Sequence, residues 1–218
     1  MNRIRLTARS LRYYWRWQIG LALGVGVAAA VIAGSLVTGD SVRATLAKQA
    51  EVRLGKVGTA VAAADGFFTE ALAARVPGAV PVLLVQGTVS VPGDGRRANG
   101  VNILGVRDDF WTLGSGPAAG GTGGLILNEA LTKALGLDGA EKPEVIVRFE
   151  KPSLISRDAP LSGETDLTVT LREAVARVAG EEAMGAFSLK AQQEPALNVY
   201  LPLAKLQEAA GLPGRANL

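Results

Sequence analysis

The 218-residue chain contains neither cysteine nor histidine. Without these residues it cannot build a histidine-based triad, a thiol nucleophile, or a zinc site of imidazole or thiolate ligands. The missing cysteine also excludes a lipoprotein anchor. The G-x-S-x-G nucleophile elbow is absent from the sequence as well. We therefore expect no catalytic residue, no metal site and no cofactor, and we do not expect an enzyme.

Two stretches carry residues found in binding motifs but lack the rest of the motif. The glycine-rich stretch from Gly114 to Gly124 is not followed by the lysine of a phosphate-binding P-loop. We predict a flexible surface loop there. Asp108 and Asp109 are neighbours, and neighbouring side chains on an extended backbone point to opposite faces. The pair therefore predicts a solvated turn rather than a cation site.

Charge is missing from one long stretch: the 23 residues from Trp17 to Gly39 carry none. A helix rises about 1.5 Å per residue, so about 20 residues cross the hydrocarbon core of a membrane. The apolar core of a signal peptide is shorter, at about 7–15 residues. The run therefore predicts a retained transmembrane helix from Trp17 to Thr38. The small residues in "AAAVIAGS" leave a cleaved signal as the alternative.

The charges on the two sides of this run differ. Residues 1–16 contain five arginines and no acidic residue, and the first acidic residue of the chain is Asp40. Because basic flanks stay inside, we expect a cytoplasmic tail at residues 1–16 and an extracytoplasmic location for the bulk of the chain. Outside the tail, acidic residues slightly outnumber basic ones. The sequence pI of about 9.4 therefore does not predict a nucleic-acid partner.

Helical periodicity continues after the apolar run. Val42, Leu46, Ala50 and Leu54 recur every four residues, with charged residues between them. We predict that residues 39–55 form a helical stalk that continues the transmembrane helix. A continuous helix couples the membrane to the outer domain rigidly, which suits a protein that transmits motion.

Residues 56–218 alternate strand and helix patterns. The patterns predict strands at 56–65, 80–91, 99–106, 144–150, 166–178, 185–191 and 197–203, and helices at 67–76, 128–136 and 202–211. Beyond Arg172 the pattern also fits a helix, and we favour a strand there. A "PGDG" turn joins two of the strands into a hairpin. Asn128 is the expected N-cap of the second helix, and Pro202 is expected at the N1 position of the third. The fold class is therefore α/β (α+β), with a mixed, mainly antiparallel sheet.

Several segments resemble the permeases of MacB/FtsX-like ABC transporters. They are "SLVTGDSVRATLAKQAEVRLGKV", "DGFFTEAL", "VNILGVRDDFWTLG", "LILNEALTKALGL", "VRFEKPSLISRDAPL" and "NVYLPLAKLQEAAGLPGRANL". Their order behind a first transmembrane helix is similar to the periplasmic core of that family and covers nearly the whole chain.

The resemblance implies a homodimeric inner-membrane permease driven by a separate cytoplasmic ABC ATPase. ATP-driven movement of its periplasmic domain would serve export or extraction of a substrate, with a periplasmic adaptor or lipoprotein as a further candidate partner. The family fold implies two lobes, one at 56–124 and 185–218 and an inserted one at 125–184. Such permeases have at least three further spans after this domain, so we expect the chain to be a fragment. The alternative is a signal-anchored extracytoplasmic binding or sensor domain with no transport role.

Overall fold

The computed structural model describes residues 3–63, 66–116, 121, 123–139, 143–152, 168–190, 192 and 194–218. Three sets of predicted features lie outside these residues: part of the glycine-rich loop (117–120 and 122), part of the segments that carry the resemblance (153–161), and the ends of three strands (64–65, 166–167 and 191). The chain divides into two compact units, Met1–Gln49 and Ala50–Leu218.

The first unit is helical. Helix α1 (Arg3–Tyr13) and helix α2 (Trp15–Leu54) follow each other, and Tyr14 separates them. In α2 the hydroxyl of Thr38 donates to the Gly34 carbonyl oxygen at 2.9 Å, and its polar group is thereby satisfied within the helix. By length and composition α2 can cross a membrane. The predicted transmembrane helix and all but the last residue of the predicted stalk lie inside this one helix.

After the end of α2, the described residues of the second unit form eight strands and two short α-helices. The strands are β1 (Phe68–Thr69), β2 (Leu83–Ser90), β3 (Arg97–Val106), β4 (Leu125–Asn128), β5 (Glu144–Glu150), β6 (Thr168–Ala179), β7 (Asn198–Pro202) and β8 (Arg215–Ala216). The helices are α3 (Glu129–Ala134) and α4 (Leu203–Ala210), and 3₁₀ helices cover Glu70–Arg75, Asp108–Leu113 and Glu181–Ala183.

Six strands close into a barrel in the order β2-β3-β7-β4-β6-β5, and β1 pairs with β8. Pairs β3–β7 and β4–β6 are parallel, and the other barrel pairs are antiparallel. The inward residues of β5, Val145, Val147 and Phe149, are buried as their alternation predicts. The expected mixed α/β class is therefore confirmed at this level.

The barrel combines strands from both predicted lobes. Strands β4, β5 and β6 belong to the range 125–184, whereas β2, β3 and β7 belong to the flanking ranges, and all six share one closed sheet. The division into an outer lobe and an inserted lobe stays a prediction.

Four local predictions were wrong. Residues 57–63 have no regular structure, because only the amide of Ala63 reaches a described partner in the sheet region, the Asn217 carbonyl oxygen. The range 185–191 is not a strand in its described part. The predicted helix at 67–76 is a short strand followed by a 3₁₀ helix, and Pro202 is the N-cap of α4 rather than its N1 residue.

Candidate functional site

The end of α2 is held against the barrel domain by backbone and side-chain hydrogen bonds. We call this region the junction; it comprises residues 53–57, the 3₁₀ helix Asp108–Leu113 and residues 184–187. The Lys56 amide donates to the Leu113 carbonyl oxygen at 2.7 Å, and the Lys56 ammonium donates to the Thr112 carbonyl oxygen at 3.2 Å. The chain therefore enters the domain at a fixed point, one residue after the helical end at Gly55.

Gly55 ends the helix in a conformation that suits glycine. Its φ is +55°, and a Cβ atom placed there would collide with the Leu113 carbonyl oxygen and lie 3.1 Å from the Met184 sulfur. Left-handed φ is costly for residues with a Cβ, and the space is also closed. This glycine thus allows a tight packing of the helix end on two segments of the domain.

Arg53 adds a second set of contacts. Its guanidinium donates to the carbonyl oxygen of Gln192 at 2.5 Å and to that of Glu194 at 3.4 Å. These carbonyls lie in the segment before β7, so the arginine connects the helix end to the chain that leads into this barrel strand. A planar guanidinium with several donors suits such a multiple contact.

The four residues of the predicted apolar stripe on the stalk differ in how exposed they are. Leu54 packs partly buried against the core beneath the junction, whereas Val42 and Leu46 are each 53% exposed. Ala50 is exposed, as are the predicted ends of the span, Trp17 and Thr38. Of the predicted stripe, Leu54 is the one residue that contacts a described core.

An aromatic cluster lies beneath the junction. Phe110 and Trp111 are buried, and Phe110 makes edge contacts with Trp111 and Phe187 at ring-centroid distances of 5.5 Å. The Trp111 ring lies 5.0 Å from that of Tyr200 on β7. Such pairs contribute about 0.5–1.5 kcal/mol each beyond their buried area. The 3₁₀ helix that receives Lys56 is thereby anchored in the barrel.

Arg177 of β6 covers the other side of the tryptophan. Its guanidinium carbon lies 4.5 Å from the Trp111 ring centroid, a cation–π geometry. Burial lowers the pKa of Arg177 from its ordinary value, because desolvation disfavours the charged form.

Two buried amides hold residues 184–187 in place. The Asn128 amide donates to the carbonyl oxygens of Gly185 and Ala196 at 3.0 and 2.7 Å. The Asn198 amide donates to those of Gly185 and Phe187 at 3.0 and 2.8 Å. Because these carbonyls accept from side chains, the segment does not join the sheet, which explains the missing strand at 185–191.

Asn128 also has the capping role that the sequence predicted. Its side-chain oxygen accepts from the Leu131 amide at 3.0 Å at the start of α3. Strand β4, which ends at this residue, was not predicted.

Tyr200 completes the buried network. Its hydroxyl donates to the Met184 carbonyl oxygen at 2.5 Å, and Met184 itself has a left-handed φ of 62°. Burial raises the pKa of Tyr200 well above its ordinary value, since the phenolate would be desolvated. The tyrosine is thus a neutral donor that fixes the segment beside Gly55.

The predicted solvated turn at Asp108 and Asp109 is the start of a 3₁₀ helix. Arg107 pairs with Asp109 at 2.7 Å and with Glu70 at 3.1 Å. The hydrogen bond and charge of Asp109 raise the pKa of Arg107, and Glu70 acts in the same direction. This pairing gives Asp109 a structural role. Among the residues that the structure describes, no group of three or more acidic side chains could hold a metal ion.

An apolar groove opens beside the junction. We call it the groove; its volume is about 400 Å³, and its walls are residues 56–61, 76–82, Phe68, Leu72, Ala73, Phe110, Leu113, Phe187 and Leu218. Val61, Leu72 and Val76 are 69%, 46% and 54% exposed at this surface. Lys56 is the one charged residue among the described residues of the walls. The groove was not predicted, because its walls come from segments far apart in sequence.

The chain was compared with known families and proteins. No protein-family model matches the chain, and no curated protein matches it either.

Proposed function

We propose that this chain is a membrane-anchored permease subunit of an ABC transporter of the MacB/FtsX-like kind. In this proposal the N-terminus is cytoplasmic, α2 crosses the inner membrane, and the barrel domain is periplasmic. The chain would couple a cytoplasmic ATPase to movements of the barrel domain for export or extraction of a substrate. It is not proposed as an enzyme.

One observation supports this proposal most strongly: no loop separates the apolar helix from the junction. Helix α2 is continuous from Trp15 to Leu54, and Arg53 in its last turn forms hydrogen bonds with the domain. An anchor needs only a flexible linker, because a tether has no need to transmit displacement. A continuous helix with a fixed end passes displacement and rotation from the membrane to the domain.

The junction supports the same proposal energetically. Leu54 and Val57 pack against the buried cluster of Phe110 and Trp111, and Lys56 forms two hydrogen bonds with the 3₁₀ helix. Each net hydrogen bond contributes about 0.5–1.5 kcal/mol, and apolar burial adds to this. Bending at the junction would break several of these contacts together, so the junction resists bending.

The proposed partners follow from the resemblance and from the exposed helix. A second permease copy would cover the exposed Val42 and Leu46 of the stalk, which are apolar side chains on a charged helix. The ATPase would act on the cytoplasmic side. A periplasmic adaptor or lipoprotein is proposed as a partner of the barrel domain.

A second candidate function is a signal-anchored binding or sensor domain without transport. The groove favours it, because an apolar concavity of this size is typical of a ligand site. This function would require no rigid coupling through residues 39–55.

Purification from native membranes tests the proposal. We expect the tagged full-length protein, extracted in a mild detergent, to bring a stoichiometric ATP-hydrolysing subunit with it. The control is an unrelated single-span protein with the same tag. If the protein purifies in membrane-derived nanodiscs without any ATP-hydrolysing subunit, the transporter role is contradicted. The second candidate function, a signal-anchored binding or sensor domain, would then be favoured.

A further inference from the structure

We propose that the groove binds one long acyl chain that carries an anionic head group, with the head beside Lys56. The occupant is a free single-chain amphiphile, such as a long-chain carboxylate. The proposal does not depend on the transporter role, since it concerns binding by this chain alone.

The chemistry of the walls favours an acyl chain over a peptide. The wall side chains are almost all aliphatic or aromatic, and the exceptions among the described residues are Thr59 and Lys56. A peptide brings N–H and C=O groups, and each such group costs free energy when it is buried without a partner. An acyl chain has no polar groups along its length. It therefore gains from burial against these walls without needing partners.

The charge at the rim favours an anionic head. The Lys56 ammonium has three donors, and its described bond to the Thr112 carbonyl oxygen uses one. A carboxylate at the rim can accept from the others, as a charge-assisted hydrogen bond. The same residue thus closes the junction through its backbone and contributes a positive charge to the wall of the groove.

The volume favours one chain over two. About 400 Å³ is near the small end of the range of ligand sites, which is roughly 300–1,000 Å³. Val61, Leu72 and Val76 stand exposed around the opening and would be covered by the ligand. A two-chain lipid would leave one chain in water.

The absence of native cysteine allows a direct binding assay. In the full-length protein, held in phosphatidylcholine nanodiscs, Ala73→Cys places a single thiol in the wall of the groove. We expect palmitate to slow alkylation of this thiol by a maleimide. The control Ala174→Cys lies on the exposed face of β6, and palmitate should leave its alkylation rate unchanged. Leu72→Cys serves as a second wall position if Ala73→Cys does not fold.

A series of chain lengths distinguishes a groove from partition into the bilayer. Each buried methylene should tighten binding about fourfold, and the gain should stop when the chain fills the groove. Affinity that rises without a plateau, or equal protection of the wall and control thiols, would mean partition into lipid and would overturn the proposal.

The head group is tested separately. Lys56→Gln should weaken palmitate binding about two- to fivefold, as expected for an exposed charge contact, whereas Lys133→Gln should not change it. Methyl palmitate, which lacks the charge, should bind the wild type more weakly than palmitate. Equal protection by the two compounds would overturn the anionic assignment. Protection that depends on protein concentration and not on palmitate would instead assign the groove to a second copy of the chain.

Discussion

The amide of Lys56 donates a hydrogen bond of 2.7 Å to the carbonyl oxygen of Leu113. The bond joins Lys56, two residues after the end of α2, to the last residue of a 3₁₀ helix whose aromatic side chains are buried in the barrel. Only Gly55 separates the long helix from this bond. The pairing gives the junction its fixed geometry.

Replacing Gly55 with alanine tests this packing. We expect Gly55→Ala to lower the free energy of unfolding of the barrel domain by about 2–5 kcal/mol, because left-handed strain and a steric clash add together. Gly95→Ala is the matched control: its φ is +69° and its surroundings are open, so only the strain of about 1–2 kcal/mol applies. Urea unfolding followed by the fluorescence of Trp111, with Trp15 and Trp17 replaced by phenylalanine, measures both. Equal losses in the two variants would contradict the tight junction.

The buried amide of Asn198 should be required for the segment at 184–187. In Asn198→Ala the Phe187 carbonyl oxygen loses its donor, and an unsatisfied buried group costs about 1–3 kcal/mol. The Gly185 carbonyl oxygen also loses a bond but still accepts from Asn128 and Tyr200. Asn102→Ala removes one half-buried bond to the same side chain and should cost less. Urea midpoints of the two variants provide the comparison. An Asn198→Ala midpoint as high as that of Asn102→Ala would show that the network contributes little.

Because the hydroxyl of Tyr200 is buried, we expect the protein to lose stability at alkaline pH. Its folded-state pKa is raised by burial, so the unfolded chain releases the proton first as the pH rises past about 10. The folded state then binds more protons, and stability falls with rising pH by up to about 1.4 kcal/mol per pH unit. Below that pH this effect is absent. Between pH 8 and 11.5 the urea midpoint should fall less steeply in Tyr200→Phe than in the wild type. If the two proteins lose stability in parallel, ionisation of Tyr200 is not the cause of the loss.

The N-terminal segment should remain attached to the protein in the membrane. This prediction is based on the length of the uncharged run that follows the arginine-rich tail. Mass spectrometry of the membrane-extracted protein should detect peptides from the range 3–16. A mature N-terminus near Ser35 would instead identify a cleaved signal.

The sequence was informative where a local pattern alone decides the structure. The alternation in β5 and the cap at Asn128 depend on neighbouring residues, and both were predicted correctly. The range 185–191 has a strand-like composition, yet its carbonyls accept from Asn128 and Asn198. Such long-range side-chain contacts override local propensity.

The closure of the barrel and the groove could not be predicted from the sequence for the same reason, since both depend on contacts between distant segments. The partner of β3 is β7, about a hundred residues away, and the registers of the parallel pairs leave no local signal. At the junction, the glycine after the charged helix gave a signal for its end. The identity of its contacts, Leu113 and Met184, depends on the tertiary fold.

The central claim is rigid coupling through residues 39–55, and the distribution of distances between two spin labels tests it most directly. One label is placed at Ser41→Cys at the start of the stalk and the other at Ala174→Cys on the barrel, in the full-length protein in nanodiscs. The reference pair, Lys133→Cys and Ala174→Cys, reports the width of the distribution within the domain. The variant Thr45→Gly/Leu46→Gly lies between the two labels and should broaden the stalk–barrel distribution, since two glycines soften the helix by about 2 kcal/mol. In the proposed transporter the same variant should uncouple ATP hydrolysis from the outer function. Double electron–electron resonance should give a stalk–barrel distribution as narrow as the reference. A broad distribution, as a flexible tether gives, would contradict the account and identify α2 as a plain anchor.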